Sequence, residues 1–227
     1  SLLKSYSANS QVVTLLMRMV WLGRIASLKE ETKALATSPS TPRFAGISAI
    51  RAMGAVATQE DVEELRTRFL HEAPELRRDW FGEIVEISRP SANTVSWLIE
   101  AVGKAAPKER YSTDNLTDAV SGFVEAAPIE SLPELAVGLN RLLELAPYIE
   151  HRVCDVSAKH AWLTKPATIG VERLIRDRHE AALEEASLGV LHKFRALRDW
   201  DDDLHELKSE FARLVPEWRE LNRAAFW

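Results

Sequence analysis

Prolines set the first limit on what this chain can fold into. Ten of them fall at positions 39, 42, 74, 90, 107, 128, 133, 147, 166 and 216. A proline ends a helix but fits comfortably in a first turn, so each marks a place where a helix stops or starts. Many of the intervening segments run about thirteen to twenty residues, and within them apolar positions recur at i, i+3, i+4 and i+7, the spacing of a helix with one buried face. No strand-like alternation persists, and Ala, Leu, Glu and Arg dominate nearly every window, which favours helix. The fold class predicted is all-α.

Start signals agree with the proline breaks. Thr41 before Pro42, Thr58 with Asp61, Ser91, Thr113, and Ser131 with Pro133 and Glu134 all stand where a helix N-cap belongs, the last set reading as a capping box with proline in the first turn. The spacing predicts helices over roughly 9–21, 23–37, 42–54, 59–72, 75–88, 92–106, 113–126, 131–145, 148–162, 169–196 and 201–223.

Set side by side, these segments repeat. First helices centre near Leu16, Ile47, Ile84 and Val120, and second helices near Leu28, Leu65, Leu98 and Leu139, a period a little over thirty residues. One αα-hairpin of that size cannot bury both of its faces, so hairpins stack and each walls in the next, which predicts an α-solenoid of antiparallel helix hairpins. The unit lacks the tetratricopeptide and ankyrin signatures, whereas the stretch from Arg43 to Gly54 resembles the first helix of a HEAT repeat. We therefore expect about four HEAT-like hairpins over residues 1–147, and over 148–227 a helical extension or cap packed on the stack. The segment from about Thr168 to Leu197 reads as one helix of nearly double length, leading into the acidic run at Asp199, Asp201, Asp202 and Asp203.

Composition narrows the function classes. With 46% apolar and 28% charged residues and a formal net charge of −5, the 227-residue chain has the make-up of a soluble globular protein. It offers no long-range attraction to phosphate backbones or anionic lipid, so neither nucleic acid nor membrane is expected as a partner. The apolar stretch from Val12 to Ile25 is interrupted by Arg18, Gly23 and Arg24 and is too short for a membrane span. A single cysteine, Cys154, excludes an internal disulfide and suits a reducing, cytoplasmic setting. The apolar opening and the aromatic ending at Phe226 and Trp227 read as those of a piece of a longer chain.

Candidate chemistry is sparse. His151, Cys154, Asp155 and His160 share one expected helix, but two Cys or His ligands on a face fall short of a zinc site, and no third residue completes a Cys–His nucleophile. His71 with Glu72, His179 with Glu180, and His205 with Glu206 begin like a zincin helix, yet each lacks the second histidine. The run from Asp199 to Asp203 lacks the glycine and glutamate of a calcium loop and reads as a negatively charged helix start. No glycine-rich phosphate loop occurs. Paired carboxylates at Glu30 and Glu31, Glu63 and Glu64, and Glu184 and Glu185 lie on polar helix faces. Arg77, Arg78, Arg173, Arg176, Arg178, Arg195 and Arg198 are interleaved with acids and suit either an anion-gripping ridge or salt bridges to Glu172, Asp177 and Glu180. Of seven tryptophans, Trp80, Trp97 and Trp162 fit core positions, and Trp200, Trp218 and Trp227 gather near the end. No catalytic, cofactor-binding or metal-ligating residue is assigned, no cofactor is expected, and the binding residues stay open.

Two stretches, Leu15 to Arg24 and Leu221 to Trp227, are similar to parts of the helical-repeat regions of large bacterial STAND-type NTPases with a NACHT-like ATPase module. The resemblance covers about a tenth of the chain. It implies a sensor or scaffold solenoid whose partner is another protein or the rest of its own chain. The family's nucleotide-binding motifs are absent from these residues, so no catalytic residue carries over. The expected function is thus non-catalytic recognition. The alternative is a HEAT-like DNA-binding enzyme of the alkylpurine DNA glycosylase type, for which a basic groove flanked by Trp and Asp would speak, where a mixed-charge groove speaks for the binding module. A purely structural spacer would show no distinctive groove.

Overall fold

The computed structural model describes residues 9–72, 74–108, 113–144, 156–196 and 202–226. Among them the secondary structure is helical, with only isolated bridges between Leu76 and Ala105 and between Glu144 and Val156. The helices are α1 (Ser10–Gly23), α2 (Lys29–Thr37), α3 (Arg43–Val56), α4 (Gln59–Glu72), α5 (Arg78–Ile87), α6 (Ala92–Gly103), α7 (Leu116–Ala126), α8 (Leu132–Leu143), α9 (Thr164–Arg176), α10 (Glu185–Ala196), α11 (Asp202–Glu217) and α12 (Arg219–Phe226). The expected all-α class is therefore observed. No helix among the described residues is long and apolar enough to cross a membrane.

Side-chain caps open four of the helices. Asn9 accepts hydrogen bonds from the amides of Gln11 and Val12 to open α1. Thr58 and Asp61 cap each other before α4, the Asp61 carboxylate accepting from the Thr58 amide at 3.0 Å and the Thr58 hydroxyl from the Asp61 amide at 3.3 Å; Ser91 and Thr94 do the same before α6. These are capping boxes built with Asp and Thr in place of Glu. Before α7 it is Asp114, one residue past the expected Thr113, that accepts from the Leu116 amide. The capping box expected from Ser131 and Glu134 is not formed: Ser131 is already helical and caps with no side-chain bond, and the Glu134 carboxylate accepts instead from the Ser96 hydroxyl of α6 at 2.6 Å.

The last third departs from the sequence reading. The single long helix expected over 169–196 is two helices, and the first starts at Thr164 with Pro166 in its opening turn. Arg178 takes a left-handed conformation with φ 51, its amide donating to the Ile175 carbonyl at 3.0 Å and the His179 amide to the Leu174 carbonyl at 2.9 Å. That is a Schellman stop made without glycine. His179 then accepts from the Ala181 amide and a 3-10 turn, Glu180–Leu183, leads into α10. The helix expected over 148–162 is absent where the chain is described: 156–160 form a bridge residue and turn, followed by the short 3-10 segment Ala161–Leu163. The last expected helix, 201–223, breaks near Trp218 into α11 and α12.

The chain packs as two units, one of Ser1–Arg89, Lys104–Ala106 and Thr113–Ala119, the other of Pro90–Gly103, Pro107–Ser112 and Val120–Trp227. In the first, α3 is the centre: it lies against α1, α2 and α5, and α2 also meets α4. Met17, Ile50, Met53, Leu65, Leu76, Phe81 and Ile84 are wholly enclosed there, each side chain contributing about 1.5–3 kcal/mol on leaving water. Helices α3 and α5 approach so closely that Gly46 faces the Trp80 ring edge-on. Polar side chains fasten the same layers: Lys33 to Asp61 at 2.9 Å, Arg51 to Glu83 in a bidentate pair, and Arg78 to Asp114 at 3.0 Å. In the second unit α8 is central, meeting α6, α9 and α10, while α9 also packs on α10 and α11. Leu98, Leu132, Leu135 and Phe194 form its core.

Candidate functional site

An open groove of about 540 Å³ runs along the second unit between the end of α7 and helices α9 and α11. Helix α9 supplies its floor from one face, because Lys165, Ile169, Glu172 and Arg176 recur at the spacing that brings side chains over one another; Glu125 closes one side and Glu206, Leu207 and Glu210 the other. Burial on the opposite face of α9, through Val171, Leu174 and Ile175, fixes which side chains are left to line the groove.

The wall charges are interlocked. Glu172, largely buried, accepts from the Arg176 guanidinium, which also stands 3.7 Å from Glu210. Glu210 accepts from Arg213 at 2.8 Å, and that hydrogen bond holds its carboxyl below the usual range while raising the Arg213 guanidinium. Arg173 turns away to cap the end of α7, donating from one nitrogen to the carbonyls of Val124 and Ala127 at 2.7 Å each. Four carboxylates and three cationic side chains line the groove, so it presents alternating signs rather than a uniform field. Such a surface pairs with a partner of matched charge pattern and gives a phosphate chain no continuous basic track.

The residues singled out in sequence are scattered. His151, Cys154, Asp155, Trp200, Arg198 and Trp227 lie outside the described residues. His160 stands in a turn before the 3-10 segment, not on a helix; its Nε2 is buried without a partner, and burial, with Lys159 beside it, pushes its pKa down against the Leu142 carbonyl. His71 and His205 are exposed, and His179 serves as a helix cap. The arginines do not form one ridge: Arg77 stacks 4.7 Å over the Trp80 ring, Arg78 binds Asp114, Arg176 binds Glu172 across one helical turn, and Arg178 and Arg195 reach backbone carbonyls. Of the salt-bridge partners expected on α9, Glu172 is the one paired among the described residues, and it pairs within α9. Trp80 is buried as expected, while Trp97, Trp162 and Trp218 are half-buried. Among the described residues no three His, Cys, Asp or Glu side chains gather as a metal site would require. The sequence reading missed the groove acids Glu125 and Glu210, and met Glu206 only as the neighbour of His205. The stripe on α9 was legible as a spacing, but its apposition to α11 was not.

Fold and site together define an all-α protein with a mixed-charge surface groove. Comparison with protein-family models, with curated proteins and with solved structures finds no match.

Proposed function

We propose that the chain is a non-catalytic, HEAT-like helical-repeat module that recognises a partner protein, and that it serves as the sensor or scaffold region of a bacterial STAND-type NTPase. The observation that carries the recognition half is the groove of α7, α9 and α11, whose carboxylates and guanidiniums alternate and are held by one another. Electrostatic patterning of that kind selects partners more than it adds raw affinity. The repeat half draws on the recurrence of cross-helix polar pairs at sequence separations between 32 and 36: Lys29 with Asp61 and Arg51 with Glu83 at 32 residues, Arg43 with Asp79 and Arg78 with Asp114 at 36. Offsets near the length of one hairpin are what stacked copies of it would produce. The STAND assignment rests on the resemblance of the stretches Leu15–Arg24 and Leu221–Trp227.

Two experiments test it. A photo-crosslinking group at Glu206, on the groove rim, is expected to capture a protein partner in the native cell, and one at exposed Glu60 is not; reversing Glu210 to Arg should abolish the adduct. No adduct above the Glu60 control, or tight duplex-DNA binding that weakens steeply with salt, would overturn the recognition reading in favour of a nucleic-acid role. The mass of the native gene product tests the rest: a much longer chain with a nucleotide-binding module is expected, and a native chain of this length removes the STAND part.

A further inference from the structure

The groove is not the only surface with a partner's chemistry written on it. Helix α1 divides into two faces. Val13, Met17 and Val20 are buried and α1 packs on α3, so the core of the first unit uses one side only. On the other side Leu15, Met19 and Leu22, at i, i+4 and i+7, are 58%, 54% and 72% exposed. Phe44, 66% exposed, stands beside the first turn of α1, where it shares a hollow of about 300 Å³ with Ser10, Gln11 and Thr14. Ile25 is exposed past the other end of the stripe, and Trp21 is exposed on the flank of α1, where Arg51 lies 6.0 Å from its ring. Of the seven large apolar side chains exposed among the described residues, five belong to this face and its ends, Trp21 lies on the flank of the same helix, and Val137 lies elsewhere. Scattered exposed apolar side chains need no explanation, but their concentration on one helix does.

Charge says what fits there. Between residues 9 and 28 the chain has no Asp or Glu, and its only charged residues are Arg18 and Arg24. Arg18 lies three residues after Leu15 and four before Leu22, on the edge of the stripe. Both arginines are exposed, and no carboxylate engages either among the described residues. In a chain of net charge −5 this is a local reversal of sign. We infer that the outer face of α1 docks a partner helix whose apolar stripe is flanked by Asp and Glu. Helix-on-helix recognition uses the anchors α1 presents, an i, i+4, i+7 row with charged flanks that set orientation. A second copy fits poorly, because pairing α1 with itself sets Arg18 against arginine with no acid to balance it, and the rest of the described surface offers only Val137 as an exposed large anchor. An anionic membrane gains little from two cations on a net-negative chain.

The test uses the whole chain and two synthetic amphipathic helical peptides of identical apolar spacing, one flanked by Glu and the other by Lys, read by fluorescence anisotropy. The Glu-flanked peptide is expected to bind and the Lys-flanked one to bind at least about tenfold more weakly. Leu22→Asp, at a site too exposed to disturb folding, should remove binding with an unchanged melting curve, and the double variant Arg18→Glu, Arg24→Glu should invert the preference between the peptides. Groove variants such as Glu210→Arg should leave this binding untouched, which keeps it separate from the recognition reading of the second unit. Equal binding of both peptides, no binding of either, co-sedimentation with vesicles of phosphatidylglycerol, or dimerisation lost in Leu22→Asp would each overturn the inference.

Discussion

The charged side chain with most at stake is Arg78. Its guanidinium makes two 3.0 Å hydrogen bonds to Asp114, with the two side chains only 6% and 2% exposed. Removing one partner of a buried pair leaves the other charge uncompensated, so Arg78→Met should cost about 3–5 kcal/mol, read from the urea unfolding midpoint. Arg78→Lys should recover only part, since an ammonium cannot make the bidentate contact. The double change Arg78→Met, Asp114→Asn should sit well above the single variant, because the amide oxygen still caps the Leu116 amide without stranding a charge. His160 sets a different dependence. Its folded-state pKa lies below the ordinary 6.5, for burial first and for Lys159 next, so the unfolded chain takes up the proton more readily. Its contribution is therefore complete above about pH 6.5 and declines as pH falls through the window below it. His160→Gln should show a smaller loss of stability than the wild type between about pH 7.5 and about pH 5, measured by chemical denaturation; an unchanged slope would show that His160 does not titrate differently on folding.

At the scale of helices, glycine acts here through contact rather than through dihedral freedom. No glycine among the described residues has a positive φ; the left-handed stops after α1 and α9 are Arg24 and Arg178. A Cβ on Gly46 would fall 2.0 Å from the edge of the Trp80 ring, on Gly138 2.6 Å from the Ile99 side chain, and on Gly122 in open space. Gly46→Ala should therefore destabilise by about 1–3 kcal/mol through overpacking, and Gly122→Ala should stabilise by about 0.5–1 kcal/mol through lost unfolded-state entropy. Thermal melts of both variants check the signs, and Gly138→Ala should fall between them because Ile99 is half-buried and can turn aside. Helix packing also explains a part of the sequence reading that failed. The segment 169–196 holds no proline, and its glycines, Gly170 and Gly189, stand far from the break, so nothing in its composition marks a stop at Arg178. The stop is paid for by the packing of α9 and α10 on α8.

For the chain as a whole, the two packed units each close their own core. Local opening spreads first to the elements in contact with the damaged helix, so damage should stay local. In Gly46→Ala, hydrogen exchange is expected to rise in α1, α2 and α5, which touch α3, before it rises in α8, α9 and α10. Peptide-resolved exchange by mass spectrometry measures this, and uniform acceleration across the chain would show a single cooperative unit.

Helicity and most helix starts were present in the sequence, because periodicity, proline placement and capping are properties of neighbouring residues. Thr58 with Asp61 and Ser91 with Thr94 could be found by spacing alone. The partner of Glu134, the sharing of Asp61 between Lys29 and Lys33, and the partners of Arg43, Arg51 and Arg78 could not, since those bonds join residues about thirty or more positions apart and depend on which helix lies beside which. The exposed row on α1 shows the division most sharply. Its spacing and its two arginines are legible in the chain, but both faces of α1 are apolar, and only the packing of α3 against Val13, Met17 and Val20 decided which of them remained in water.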